Sequence, residues 1–425
     1  MKKILKFAIS LGLIVAMLFS VGCDFVASNG GYVNPSTTTF NSSAELIDTV
    51  DIKTVNASDR QILSKADVYE KYSQSVVVIE TNLGVGSGVI VDIDSENYDE
   101  TTGTFYIVTC NHVIDGATSA KVYVPDATGK NYSDTGYDRN YVFSGVLGGT
   151  VNVNSPVRLI GGDTRSDIAV LGLFVADQTI ALDIRANVAN VMSKQNKLRV
   201  GDDVVAIGNP KGSLPGTLLS GVVSYINRQG NFSGIGTLSL IQTDAGITHG
   251  NSGGALFNLY GELVGITNGG VVDMVLGTDG NPIDLPTSYN YAIPLYVSDT
   301  ETEQGIVPVA SQLIATSTAT NYGYITGRWK LGFSVNNNLE ITSIESYSAS
   351  ATAGLEVGDR LLSINYNQSV FPVSLSNISD LDSAMTQMKQ VLKLGDRISL
   401  TVLRKGAVVS KTLIITQYIY RNTGK

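Results

Sequence analysis

Apolar residues in this chain come in short runs. Between residues 76 and 267 they fall at Val76–Glu80, Gly88–Asp92, Phe105–Thr109, Lys121–Val124, Ala169–Phe174, Lys197–Ile207, Gly221–Asn227, Leu238–Thr243 and Glu262–Thr267. Gly, Asn and Asp turns separate them, and many short strands broken this way predict a mainly β domain, a barrel or a sandwich. From Tyr324 the pattern changes. Leu381, Ala384, Met385, Met388, Val391 and Leu392 recur at helical spacing within Ser379–Leu394. Ile398–Arg404 and Val408–Thr416 then read as strands, so an α+β domain over 324–420 follows the β domain over 66–298. The acidic, then Ser/Thr/Ala-rich stretch 299–323 reads as a linker, with a helix from Val307 to Ala315 bridging the two.

Ahead of the strands, Met1 to Lys6 carry three lysines, and Phe7 to Val21 form one largely apolar stretch ending at Gly22-Cys23. A charged start, a short apolar core and small residues before the cut describe a secretory signal peptide over 1–23. At about 15 residues the stretch falls short of the ~20 that a membrane span needs. Ser20-Val21-Gly22-Cys23 resembles a bacterial lipobox with Ser20 in place of the usual leucine. Lipidation at Cys23 after cleavage and an uncleaved N-terminal anchor therefore both stay open. Either places the protein outside the cytoplasm, held to a membrane. Residues 24–65, rich in Ser, Thr, Asn and Gly, read as a flexible tether.

Composition narrows the partners. Loss of the three signal lysines takes 29 basic residues to 26, against 38 acidic ones, a net charge of −12. Nucleic acid wants a basic face, so it is not an expected partner. With Cys23 lipidated, Cys110 is the other cysteine and has nothing to pair with, so the fold rests on its apolar core. Neither a metal nor a cofactor is expected.

The chemistry gathers at Thr248-His249-Gly250-Asn251-Ser252-Gly253-Gly254-Ala255-Leu256. Glycines beside a serine allow backbone angles closed to other residues and let a second backbone come near. A nucleophile's turn needs both, because N–H groups must face the oxygen that becomes negative in the transition state. Serine also needs a base, usually histidine, and the chain has two. His249 shares the serine's loop, a poor place for a rigid base. His112 follows the apolar strand Phe105–Val108 in Cys110-Asn111-His112-Val113-Ile114. An orienting carboxylate fits Asp167, which opens the apolar run Ile168–Leu171, an odd place for a charge unless it is paired. Asp115 and Asp163, in polar or glycine-rich turns, are weaker candidates. The order His, Asp, Ser, with spacings of 55 and 85 residues, is that of chymotrypsin-type triads.

The segments TCNHVI, SDIAVL and GNSGGAL resemble the three catalytic signatures of the HtrA (DegP/DegS-like) family of serine proteases. Further likenesses are Gly86–Ile90, Gly201–Pro210, Ser220–Ser224, Gln242–Ala245 and Tyr291–Pro294, which together cover most of residues 66–298 in the family's order. His249 departs from the family's usual proline. The resemblance implies a chymotrypsin-like pair of six-stranded β-barrels, with His112 and Asp167 from the first and Ser252 from the second. Ser252 would be the nucleophile, His112 the base and Asp167 its orienting acid, with the N–H groups of Gly250 and Ser252 as oxyanion hole. Arg228 stands where the family has an arginine that passes an activation signal to the catalytic loops. Lys330–Val335, containing Leu331, Gly332 and Phe333, resembles the carboxylate-binding loop of a PDZ domain, and Ser350–Asn365 its Gly-Asp turn. A groove there would take peptide C-termini by β-augmentation. Family members form trimers, so a homotrimer is expected.

Ala245-Gly246-Ile247-Thr248 places no acid at the base of the S1 pocket, which implies small or medium apolar P1 side chains. Asp244, just before it, belongs to a family motif. The combined expectation is a membrane-anchored extracytoplasmic serine endopeptidase that cleaves misfolded or exposed polypeptides in protein quality control, gated by a PDZ domain. The competing class is a chaperone or peptide-sensing lipoprotein with its protease held inactive.

Overall fold

Seven strands close the first barrel in the computed structural model, which describes residues 51–55, 60–94, 103–125, 140–148, 155–232, 236–268, 290–297, 305–318, 321–366 and 372–420. The strands are β1 (Val76–Thr81), β2 (Val85–Val91), β3 (Thr104–Cys110), β4 (Ser119–Pro125), β5 (Asn140–Val146), β6 (Val157–Asp163) and β7 (Ile168–Phe174). They run in the order β7-β3-β2-β1-β4-β5-β6, and β6 pairs back on β7. The family resemblance implied six strands. The seventh is β5, whose link to β6 is one parallel pair, Gly145 with Val157. β1 is apolar without alternation because both of its faces are covered. Val77 and Ile79 fill the first barrel, while Val76 packs into the apolar cluster shared with the second. β-branched residues suit such a strand.

The second barrel is β8 (Asp203–Gly208), β9 (Thr217–Phe232), β10 (Gly236–Thr243), β11 (Ala255–Asn258), β12 (Glu262–Asn268) and β13 (Asn290–Pro294). Its order is β11-β8-β9-β10-β13-β12, closed by β11 on β12. The fold is mainly β, a chymotrypsin-like pair of barrels followed by an α+β domain.

Two boundaries differ from expectation. Asp51–Ile52 and Thr54–Val55, assigned to the tether, are short strands that pair with Ile93–Asp94 and with Val191–Met192. Ile52 is buried, and its N–H donates to Ser311 Oγ at 3.1 Å. The two apolar residues Ile52 and Val55 were hidden inside a longer polar stretch. The helix expected over 307–315 runs from Ile306 to Thr316, but seven of its eleven residues are buried. It is a core element of the protease half rather than a bridge.

The C-terminal domain contains β14 (Phe333–Val335), β15 (Ile341–Ile344), β16 (Arg360–Asn365), β17 (Val373–Ser374), β18 (Arg397–Arg404), β19 (Ala407–Ile414) and the helix Ile378–Val391. β14 pairs with β15, and β17-β16-β18-β19 form a separate sheet. Asn377 caps the helix by accepting from Asp380 N–H, and Leu381, Ala384 and Met388 face the domain's core. Asp359, in the Gly-Asp turn, is buried and takes two bonds of 2.7 Å from Arg404, whose charge helps hold the carboxyl below its usual range despite burial. Among the described residues no helix is long and apolar enough to cross a membrane. Cys23, the signal segment and residues 95–102 and 269–289 lie outside them.

Candidate active site

β3 ends at Cys110 and passes directly into one helical turn, Asn111–Ile114, so His112 stands on a rigid strand end. β6 and β7 meet in a tight hairpin, where Asp163 Oδ2 accepts from the Ser166 N–H at 3.1 Å and the Ser166 hydroxyl at 2.5 Å. That hairpin turns the chain into Asp167, which sits in the left-handed region at φ 55. Asp tolerates this conformation better than most residues. The Asn111 N–H donates to the Asp167 carbonyl at 2.9 Å, tying the two elements by backbone.

The side chains complete the junction. Asp167 Oδ1 accepts the His112 backbone N–H at 2.9 Å, and Oδ2 accepts His112 Nδ1–H at 2.7 Å. With the proton on Nδ1, Nε2 keeps its lone pair. Asn268 Nδ2 also donates to Oδ2, at 3.0 Å. Asp167 is 1 % exposed, and a charge buried that deeply needs such donors. Burial opposes protonation of His112, but the hydrogen bond and charge of Asp167, with Asp115 adding, outweigh it and raise the imidazole above its ordinary value.

Ser252 lies in a turn held through its own backbone atoms. The Ser87 N–H donates to the Ser252 carbonyl at 2.8 Å, and the Ser87 hydroxyl donates to the Gly250 carbonyl at 2.9 Å. From the second barrel, the Thr267 hydroxyl donates to the Asn251 carbonyl at 2.5 Å and the Gly253 N–H donates to the Thr267 carbonyl at 2.8 Å. Gly253 has φ +83, and a Cβ there would lie 2.1 Å from the Ser87 carbonyl oxygen. At Gly86 a Cβ would meet Val113 at 2.6 Å on one side and the Ser252 carbonyl at 3.3 Å on the other. The serine turn and the histidine turn thus lie against one glycine. Gly250, at φ +92, and Ser252 flank Asn251 in this turn.

The other candidates find separate places. His249 is exposed on the loop, and its carbonyl accepts the Lys211 N–H at 2.6 Å. Arg228 lies 3.9 Å over the Tyr225 ring and donates from Nε to Gln242 at 3.0 Å, within the β9–β10 hairpin. Asp244 accepts the Val222 N–H at 2.6 Å. Leu331 is buried with its carbonyl bonded to Ser350, Gly332 takes φ +81, and Phe333 opens β14. Cys110, His112 and Asp167 bring a thiol, an imidazole and a carboxylate within 4.8 Å of one another. Burial and the Asp167 charge push the Cys110 thiol well up, and its Sγ lies 3.4 Å from the Thr267 carbonyl, which makes it a poor metal ligand.

Sequence reasoning did not single out Asn268 or Thr267. Their one signal was a polar pair closing the buried run Leu263–Ile266, the mirror of Asp167 opening another. It also gave no role to Arg328, which pairs with Asp163 at 2.7 Å, or to Trp329, whose carbonyl accepts from Arg165. Asp163, a weaker candidate by sequence, is the point where the C-terminal domain grips the hairpin carrying Asp167.

Residues 86–266 match the trypsin-like peptidase domain family. The periplasmic serine endoprotease DegP of Escherichia coli K12 is 30% identical over 350 residues, covering 79% of this chain and 57% of DegP. The serine protease Do-like HtrA of Bacillus subtilis is 29% identical over 345 residues, 80% of this chain and 65% of that protein. The chain therefore spans about three fifths of the length of these relatives. A solved serine endoprotease from Yersinia pestis aligns over 84% of this chain and 98% of its own, at 23% identity and a TM-score of 0.42, too distant to add to the fold. By its peptidase domain, its serine, histidine and aspartate segments and these relatives, the chain belongs to the HtrA family of serine proteases.

Proposed function

We propose that this protein is an extracytoplasmic, membrane-anchored serine endopeptidase that cleaves unfolded or misfolded polypeptides. The bonding at Asp167 carries the reading. A carboxylate that accepts both the backbone N–H and Nδ1–H of His112 fixes the imidazole's tautomer and orientation, the arrangement a serine nucleophile requires. Ser252 Oγ attacks the scissile carbonyl and its proton passes to His112 Nε2. The imidazolium then gives that proton to the leaving amine, and water hydrolyses the acyl-enzyme. The Gly250 and Ser252 N–H groups stabilise the oxyanion, a role worth about 3–4 kcal/mol per donor in such enzymes. Because Asp244 is spent on the Val222 N–H, no acid is offered to a basic P1 side chain, which favours small or medium apolar ones.

The C-terminal domain acts as a PDZ gate. β14 pairs with β15 on one side, and its other edge would take a peptide C-terminus beside Leu331, Gly332 and Phe333. Two residues before Leu331, the Trp329 carbonyl holds Arg165, and Arg328 holds Asp163 on the Asp167 hairpin. Burial first, and then the Arg165 charge, hold Lys389, on the helix of the same domain, below its usual range. The N-terminal lysines, apolar stretch and Cys23 support the anchor, and trimer assembly and Arg228 signalling follow the family. The test is casein degradation by the full chain beside Ser252→Ala, with and without peptides ending in apolar residues. Proteolysis abolished by Ser252→Ala and stimulated by peptide supports the reading. Casein bound but never cut overturns it in favour of a chaperone or sensor.

A further inference from the structure

After β19 the chain does not leave the molecule. Ile415 N–H donates to the Asp396 carbonyl at 2.8 Å, and the Gln417 carboxamide donates to the Ile325 and Arg328 carbonyls at 2.8 and 3.1 Å. Tyr418 N–H donates to the Arg328 carbonyl at 2.8 Å. The Gln417 and Tyr418 bonds stitch residues 417–418 to the segment that opens the C-terminal domain. Two residues later Tyr420 joins the apolar core of the first protease barrel, the cluster that also holds Ile107, Ile114, Ala117 and Leu171. It is 3 % exposed.

The placement is specific to the histidine turn. The phenol hydroxyl donates to Asp115 Oδ1 at 2.9 Å. Asp115 and Gly116 directly follow the turn Asn111–Ile114 that carries His112. On its other side the ring lies against β6, where a Cβ on Gly162 would come within 2.9 Å of Tyr420 Cδ1. One side chain thus touches both the end of the His112 turn and the strand that leads into the Asp167 hairpin. We propose that Tyr420 is a positioning residue for His112, so that the base of the protease half is set by a side chain delivered from the C-terminal domain's return segment.

The electrostatics agree with the geometry. The charged and titratable groups around the junction are Asp115, facing His112, Tyr418 and Tyr420; Asp167, facing His112; Glu345, Asp163 and Arg165, facing Tyr418; and Tyr418, facing Tyr420. Burial, then the charge of Asp115, push the Tyr420 phenol far above its ordinary range, so it stays a neutral donor throughout. Its hydroxyl partly offsets the Asp115 charge, which is one of those raising His112. Removing the hydroxyl alone strengthens the Asp115 field at the imidazole, and His112 then holds its proton to higher pH.

The test uses the full chain without any added peptide, so that it is independent of gating. Tyr420→Phe keeps the ring and removes the donor. The acid limb of kcat/KM should move to higher pH with KM unchanged, while Tyr420→Ala should lower kcat by more than tenfold in protein that still melts cooperatively. In an Asp115→Asn background, Tyr420→Phe should no longer move the limb. NMR titration of His112 in Ser252→Ala protein, with His249→Gln to assign the two imidazoles, reads the same shift where no proteolysis occurs. A failure of the peptidase reading is thereby distinguished from a failure of this one. Superimposable His112 titrations with and without Tyr420→Phe, or an equal shift with Asp115→Asn present, would overturn the proposal.

Discussion

The two barrels hold their parts of the site in opposite ways. The first fixes His112 and Asp167 chiefly through side chains, with Asp167 accepting from His112 twice and Asp163 shaping the hairpin through Ser166. The second contributes a serine turn held by its own backbone atoms, the carbonyls of Gly250, Asn251 and Ser252 and the N–H of Gly253, with the Ser87 and Thr267 hydroxyls as two of the four partners. Point changes in the first half should therefore act on proton transfer, and those in the second on where the nucleophile sits.

The contrast is sharpest at Asp167. Asp167→Asn keeps the shape but offers an amide to His112 Nδ1, which favours the wrong tautomer. In the general triad template such a change costs on the order of 10⁴ in kcat. Single-turnover rates on a peptide substrate should fall by about that factor while substrate affinity holds. A loss below tenfold would mean that His112 does not depend on Asp167 for its orientation.

The serine side breaks through geometry. Gly253→Ala sets a methyl 2.1 Å from the Ser87 carbonyl oxygen at a φ of +83, so the turn must move. A displacement of about 1 Å costs roughly 10² in rate. Because that methyl meets Ser87 and Thr109 but neither His112 nor Asp167, the pH profile should keep its shape while its height drops, and a shifted acid limb would contradict the separation of the two halves.

Asn268 joins those halves, and its substitution should give a smaller effect. It belongs to the second barrel yet donates to Asp167 Oδ2. Asn268→Leu leaves a buried carboxylate short of one donor, a loss of about 1–3 kcal/mol. The expected fall in kcat is roughly tenfold, with partial recovery in Asn268→Ser. Equal rates in all three proteins would place Asn268 outside the site's working parts.

What could be read from sequence follows the same division. Ser252, His112 and Asp167 each stood out because a polar group interrupted or bordered an apolar run, and their order fixed the triad type. The short apolar segments read as a barrel or a sandwich, and the pair of barrels came from the family resemblance. Asn268, Arg328 and Tyr420 were not visible, since each acts on a residue more than 100 positions away, and such pairings leave no local pattern. The core helix Ile306–Thr316 was found at the right place, yet the polar residues around it made it look like part of a linker. The strand at Asp51–Ile52 was lost for a related reason, because two paired residues cannot alter the composition of a 42-residue polar stretch.

The smallest effect concerns charge at the histidine itself. Asp167 and Asp115 both raise His112, and the neutral imidazole is the form that accepts the serine's proton. The acid limb of kcat/KM should therefore lie above the ordinary imidazole value of about 6.5. A limb at or below that value would mean that burial wins over the two carboxylates. Salt divides their contributions. Asp167 is buried against the ring, whereas Asp115 is half-buried and reaches it across the turn. Screening weakens exposed interactions more than buried ones. Raising ionic strength should move the limb slightly downward, and the movement should vanish in Asp115→Asn. If it persists there, more distant surface acids set the salt response, and the local account of His112 would have to be widened.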